Sequence, residues 1–199
     1  MTSTDNAYRL GLMFAAALAA GCAIDVPTSP DTFPVEPVNA AHLRAPQAIA
    51  LKNAYQAEAK RTIAVGKGQT WTVDQKQMTD TAITMLGRAV EKHGFKTQGP
   101  GDKSIDLQVR AEHGFIHQRA MSFVAHSNVT VSLHAAFGDG SSTTVGADNN
   151  SPLGPQRAFE GALMFAINKL LNDQRFVAYV NNAGADALKP ASTPVPPAK

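Results

Sequence analysis

From Ala120 to Phe137 apolar and polar side chains alternate almost without a break. Met121, Phe123, Ala125, Ser127, Val129, Val131, Leu133, Ala135 and Phe137 fall on one side, while Ser122, His126, Asn128, Thr130, Ser132 and His134 fall on the other. A period of two belongs to a strand with one buried face, and a helix would scatter both rows. At about 3.4 Å per residue such a run would exceed ~50 Å, so a bend or bulge is expected, and the lapse of the apolar row at Ser127 marks the place. A second alternating stretch precedes it, with Ile105, Leu107, Val109 and Ala111 set between Asp106, Gln108 and Arg110. Gly114 to Gln118 reads as the loop that joins the two stretches into an antiparallel hairpin. Gly138-Asp139-Gly140 closes another. Setting Phe137 opposite Ser141 puts Val145 against Leu133 and Ala147 against Val131, a match that a slip of one residue would break.

Helical spacing appears twice. Met78, Ala82, Met85, Leu86, Ala89 and Val90 form one stripe, entered at Asp74 as N-cap with Gln77 three residues on, and left at His93-Gly94-Phe95. Phe159, Ala162, Leu163, Ala166, Ile167, Leu170 and Leu171 form the other, with Pro155 suited to its first turn. Gln47 to Asn53, Arg61 to Val65 and the pair Trp71 and Val73 read as short strands, Gly66-Lys67-Gly68 as a turn, and Asp173 to Val180 as a short helix. Strands with one apolar face and helices with one apolar stripe predict an α+β fold. The expected architecture is a two-layer sandwich, a mostly antiparallel sheet with two helices packed on one face.

The two ends of the chain have a different character. Arg9 precedes Leu10 to Ala20, an uncharged run with the length of a secretory h-region and shorter than the ~20 apolar residues of a membrane span. It ends in Leu18-Ala19-Ala20-Gly21-Cys22, which resembles the bacterial lipobox, although the leucine stands one place further back and Ala19 takes its usual position. Cleavage after Ala17-Leu18-Ala19, leaving Cys22 as a free thiol, is the competing reading. As a lipobox, the resemblance implies that Cys22 becomes an acylated N-terminus. Two or three acyl chains, at about 0.8 kcal/mol per buried CH₂, anchor a protein permanently. Ala23 stands where an Asp would favour retention at the inner membrane, so the resemblance implies the outer membrane, lipid-anchored, on its periplasmic face. Pro27, Pro30, Pro34, Pro37 and Pro46 follow, and Pro190, Pro194, Pro196 and Pro197 lie near the other end. The expected organisation is therefore a signal peptide at 1–21, a lipidated, Pro-rich tether at 22–46, a globular domain at 47–182 and a disordered Ala/Pro-rich tail at 183–199.

Composition narrows the partners. The chain has 199 residues, 44% hydrophobic, with a formal net charge of +2, enough for one sizeable core. Its 18 Lys and Arg face 16 Asp and Glu without a basic run, which lacks the footprint of a nucleic-acid binder. Cys22 is the single cysteine, so neither an intrachain disulfide nor a thiolate metal cluster can form.

The order of elements from Trp71 to Val180 resembles the YajG-like family of Gram-negative envelope lipoproteins, and more loosely the small lipoproteins that assist lipopolysaccharide assembly and lipid-transport ABC systems. The resemblance lies in the Gly-aromatic step ending the Leu86 to Phe95 segment, the Gly and Pro turn into Asp102 to Ala111, the long strand, the glycine turn, and a closing helix entered near Phe159-Glu160-Gly161-Ala162. It implies a fold and a location and supplies no catalytic residue.

The remaining chemistry-bearing side chains do not assemble into a site. His113 and His117 sit in the expected loop, whereas a metal centre needs three or four converging ligands. His126 and His134 would stand about 27 Å apart along a strand. Asp106 is expected opposite His126. Gly99 to Ser104 lacks the phosphate-loop spacing, neither G-x-S-x-G nor H-E-x-x-H occurs, and Asp139, Asp148 and Asn149 lack the spacing of a calcium loop. No catalytic, cofactor-binding or metal-ligating residue is expected, and no cofactor. The expected function is a non-enzymatic accessory or interaction domain of the envelope, with the membrane and an envelope protein as partners. The alternative is a periplasmic carrier that holds a lipid or other apolar ligand between sheet and helices, lined by Met85, Phe123 and Phe165.

Overall fold

A computed structural model of the chain describes residues 23–30, 43, 48–66, 69–97, 103–118 and 125–181. In chain order the elements are β1 (Ala23–Asp25), β2 (Ile49–Asn53), β3 (Lys60–Gly66), β4 (Gln69–Asp74), α1 (Gln75–Glu91), β5 (Lys103–Gln118), β6 (Ala125–Phe137), β7 (Ser142–Ser151), α2 (Pro155–Leu171) and α3 (Gln174–Val180). The expected signal peptide, Cys22, most of the expected tether and the expected tail lie outside the described residues.

Alternation in β6 works as the sequence implies: its odd positions from Ser127 to Phe137 are buried and its even ones half-buried. Its pairing with β7 sets Leu133 opposite Val145 and Val131 opposite Ala147. The Phe137 N–H donates to Ser141 O at 2.9 Å, and Gly140 takes the positive φ of 85° that this tight connection requires. The pairing with β5 differs from expectation. β5 runs straight through Gly114 to Gln118, so the expected loop is ladder. His117, not Asp106, stands opposite His126, and Asp106 pairs with Ala136. The bulge is on β5 between Ala111 and His113, while Ser127 keeps partners on both sides, Ile116 and Ser151. One extra residue at Glu112 moves the inward row from Ile105, Leu107, Val109 and Ala111 to Gly114 and Ile116 without changing face.

The α+β sandwich holds, with the strands divided into two mixed sheets. One has the order β1-β4-β3 and the other β2-β5-β6-β7. β3 with β4, β5 with β6, and β6 with β7 are antiparallel, whereas β1 with β4 and β2 with β5 are parallel. The division follows the edge of β5. Along Lys103 to Leu107 that edge pairs with β2. At Val109 the polar groups turn to side chains: Thr79 Oγ1 of α1 accepts from the Val109 N–H at 2.9 Å, and the Tyr55 hydroxyl donates to Val109 O at 3.2 Å. Past the bulge β3 comes alongside, with Arg61 Nη1 3.8 Å from Glu112 Oε2. The Trp71 ring lies so near Gly114 that a Cβ there would meet it at 2.8 Å.

Helix stripes complete the core. Asp74 caps α1 by accepting from the Lys76 N–H, and Gly94, at φ 86°, turns the chain so that Phe95 folds in behind it. Every residue of the second apolar stripe is buried in α2. Phe159 meets Trp71 edge-on at 6.2 Å and ties the small sheet to that helix. Gly161 allows Asn149 to reach the α2 backbone, where its Nδ2 donates to Arg157 O at 3.3 Å and Ala158 O at 3.2 Å.

Part of the expected tether is folded. β1 pairs with β4, the Val26 N–H donates to Thr72 O at 2.9 Å, and Val26 and Thr28 are buried. The proline spacing does not prevent this ladder because its three residues precede Pro27. A Cβ at Gly161 would fall 2.8 Å from Asn149 Cγ and closer still to its Nδ2. Gly161→Ala should therefore cost about 1–3 kcal/mol of stability, read as a lower urea midpoint at unchanged slope.

Candidate functional site

The face of the large sheet away from the helices carries the polar row. On β6 it presents His126, Asn128, Thr130, Ser132 and His134; the bulge turns His113, Phe115 and His117 of β5 to the same side. Asn128 Nδ2 donates to His117 Nδ1 at 2.8 Å, and His126 Nδ1 lies 3.0 Å from Asn150 Oδ1. The His117 and His126 rings stand 5.7 Å apart, and Phe115 extends the row at 6.1 Å from His117. His134 is held instead by Thr144, Nδ1 to Oγ1 at 2.9 Å. Glu112 accepts from the Ser132 hydroxyl at 2.6 Å. This is a hydrogen-bonded polar surface with an aromatic end. Among the described residues no three His, Cys, Asp or Glu side chains gather closely enough to hold a metal ion.

The other residues flagged by sequence are spent on structure. Asp139 accepts from the Ser141 hydroxyl at 2.7 Å and from its N–H at 2.9 Å, and these bonds, the hydroxyl's first, hold its carboxyl below the ordinary aspartate range. Asp148 pairs with Thr130 on the open face while Asn149 points inward, so the two cannot share a cation. Lys103, of the Gly99 to Ser104 stretch, is the first residue of β5 and is buried; its ammonium donates to Tyr179 O and, at 3.2 Å, to Val180 O. Burial pushes that ammonium below its ordinary range, and Asp139 opposes the shift. Met85 is in the core while Phe165 projects outward from α2, so the two do not line a shared interior space; Phe123 is outside the described residues. A shallow groove of about 360 Å³ lies outside α1, between Leu51, Ile83, Thr84, Gly87, Arg88, Glu91 and Thr97.

Sequence reasoning missed the N-terminal strap. After β1 the chain crosses both helices. Thr28 Oγ1 is 3.1 Å from Thr81 Oγ1 on α1, and Arg88 Nη1 donates to Pro30 O at 3.2 Å. On α2, Glu160 is fully buried and accepts from the Ser29 N–H at 3.0 Å and from Gln156 Nε2 at 2.9 Å, with Arg157 Nη1 at 3.5 Å. The only signal in the sequence was a glutamate inside the apolar opening of a helix.

The strap also fixes where β1 begins. β1 runs parallel to β4, Ala23 opposite Thr70, so it starts beside the end of β3 and the start of β4. Gly66, Gln69, the end of β5, the start of β6 and the Ser151 to Gly154 turn occupy one pole of the molecule. The opposite pole holds the Gly138 to Ser141 hairpin and α3. There the Tyr179 hydroxyl donates to Ser104 O at 3.0 Å and accepts from the Ser104 N–H at 3.0 Å, and its ring stacks on Phe137 at 4.9 Å.

The sequence matches no known protein family and no curated protein. Among solved structures it is similar to the crystal structure of protein XCC0632 from Xanthomonas campestris, of the DUF330 family, with a TM-score of 0.43 and 14% identity over 81% of this chain and 96% of that one.

Two outcomes are expected. Glu160→Ala leaves the Ser29 N–H without its acceptor, at about 1–3 kcal/mol, and amide exchange should accelerate in residues 26–30 before the rest of the domain. A carboxyl depressed in the folded state stabilises the fold above the ordinary aspartate value and loses that contribution as pH falls through the folded value. Asp139→Asn should therefore be less stable than the wild type at neutral pH, and the gap in denaturation midpoint should narrow below about pH 4.

Proposed function

We propose that the chain is a lipid-anchored envelope protein, held through Cys22 on the periplasmic face of the outer membrane, where it serves as a non-enzymatic accessory or interaction domain. The observation that carries this reading is the placement of the only cysteine directly after a short apolar run preceded by Arg9. No described helix is long and apolar enough to cross a membrane, so attachment through acyl chains is the route this reading requires. The spacing likeness to YajG-like lipoproteins supports the same assignment. The open polar face, with donors and acceptors already paired in register, suits recognition of an envelope protein partner better than catalysis. Against the carrier alternative stands the packing between sheet and helices, where Met85, Leu107, Leu133, Leu163 and Ile167 fill the interior.

Intact-mass analysis of the purified mature protein should give an N-terminal Cys22 bearing acyl chains. In detergent phase separation the wild type should partition with detergent and Cys22→Ala should not. An unmodified thiol, or equal partitioning of the two, rejects the anchor.

A further inference from the structure

Four of the large apolar side chains that the fold leaves exposed gather at the pole where β1 begins. Ile24 is 46% exposed, Phe115 54%, Ile116 37% and Leu153 77%. The ladders connect them. Ile24 is opposite Trp71, Trp71 lies against Gly114, and Phe115 and Ile116 follow on β5. Ile116 is opposite Ser127, which is opposite Ser151, two residues before Leu153. Phe115 and Ile116 point to opposite faces of one strand: Phe115 is exposed on the open face, and Ile116 is exposed because the helical cover ends before this pole. Ile116 sits on the otherwise buried face, so its exposure belongs to the end of the sandwich rather than to its solvated side. Phe165, on α2, is the described large apolar residue exposed elsewhere.

Chain length argues for what covers this pole. A single residue, Cys22, would separate the acyl chains from Ala23, whose backbone is already fixed in the ladder with β4. The strap beyond it is bonded to both helices, so it cannot pay out as slack. A residue spans at most about 3.6 Å, so an acylated Cys22 holds this pole within contact distance of the lipid surface. We infer that the pole formed by Ile24, Phe115, Ile116 and Leu153 rests in the bilayer interface, so that the domain sits upright on the membrane with its apolar rim inserted and α3 pointing away. This rests on the anchor reading above. The occupant is a lipid surface; a second copy or a protein partner on the same rim is an alternative that the test separates.

The experiment uses the full-length protein, expressed and processed in cells and reconstituted into vesicles of phosphatidylethanolamine and phosphatidylglycerol whose acyl chains carry bromine. Trp71 is the only native tryptophan and is buried, so it gives a constant background. Phe115→Trp and Leu153→Trp place reporters on the rim, and Gln174→Trp places one on α3. Interfacial apolar groups sit about 5–10 Å into the headgroup boundary, so rim reporters should be quenched at least ~2-fold more than the α3 reporter. Intact mass of each sample reads the acyl state of Cys22 separately. Acylated protein with equal or absent quenching at the three positions overturns the upright docking and leaves the anchor standing. A blue shift at Phe115→Trp or Leu153→Trp without bromine quenching assigns the rim to a protein contact and also overturns it. An unmodified Cys22 removes the anchor reading and this inference together.

Discussion

The edge of β5 opposite β6 is the constraint on which the rest of the architecture depends. A 16-residue strand whose inward row lies in the core must find partners for its backbone on both sides. On one side β6 supplies them all the way from Ile105 to Gln118. On the other no single strand does. β2 serves Lys103 to Leu107, the Thr79 and Tyr55 hydroxyls serve Val109, and past the bulge β3 packs beside β5 through side chains, Arg61 meeting Glu112, without a ladder between them. Two sheets and a helix wedged between them are thus what one strand's edge requires. An unsatisfied buried backbone group costs on the order of 1–3 kcal/mol, and Thr79, a buried polar residue beside an apolar helix stripe, supplies through its hydroxyl the acceptor that the Val109 N–H needs.

From the length of the same ladder follows the separation of β1 from α3. Thirteen residues of β6 span about 40 Å between the two poles. β1 enters near one pole and α3 closes the other, where Lys103 donates to the last carbonyls of that helix as a cation at a helix C-terminus does. Residues at the two poles therefore answer to different surroundings. At the α3 pole the side chains are paired with backbone: Tyr179 with Ser104, Asp139 with Ser141, Arg175 with Ser142. At the β1 pole the exposed large apolar side chains are Ile24, Phe115, Ile116 and Leu153.

Legibility in the sequence tracked periodicity. Both long helices, the β6 to β7 register and the glycine turn could be read because many positions repeat one rule, and a wrong register would have exposed Leu133 and Val145 together. β1 could not be read. It has three residues, stands at an edge, and is defined by backbone pairing that composition does not reveal. The bulge was legible in principle. The apolar row of β5 sits at odd numbers through Ala111 and at even numbers from Gly114, a phase change that one inserted residue explains. Glycine at 114 pointed to a loop instead, whereas the structure uses it to admit the Trp71 ring. Ser127 misled in the opposite way, since a small polar residue can sit in a buried row when it lies near the end of the covered region.

That misplacement of one loop changed the whole reading of the histidines. With Gly114 to Gln118 as a turn, His113 and His117 were isolated solvent-facing groups and His126 was a partner for Asp106. With those residues in the ladder, His117 and His126 become a cross-strand pair, each bonded to a different asparagine from a neighbouring strand position. Two imidazoles fixed this way keep defined orientations on an otherwise solvated sheet, at the end where Phe115 continues the ring row. A face built for nothing but water would gain little from such fixed rings, because exposed polar side chains lose rotamer entropy when they are held. The proposed recognition of a partner draws on this order, whose ring row of Phe115, His117 and His126 reaches the pole where β1 begins.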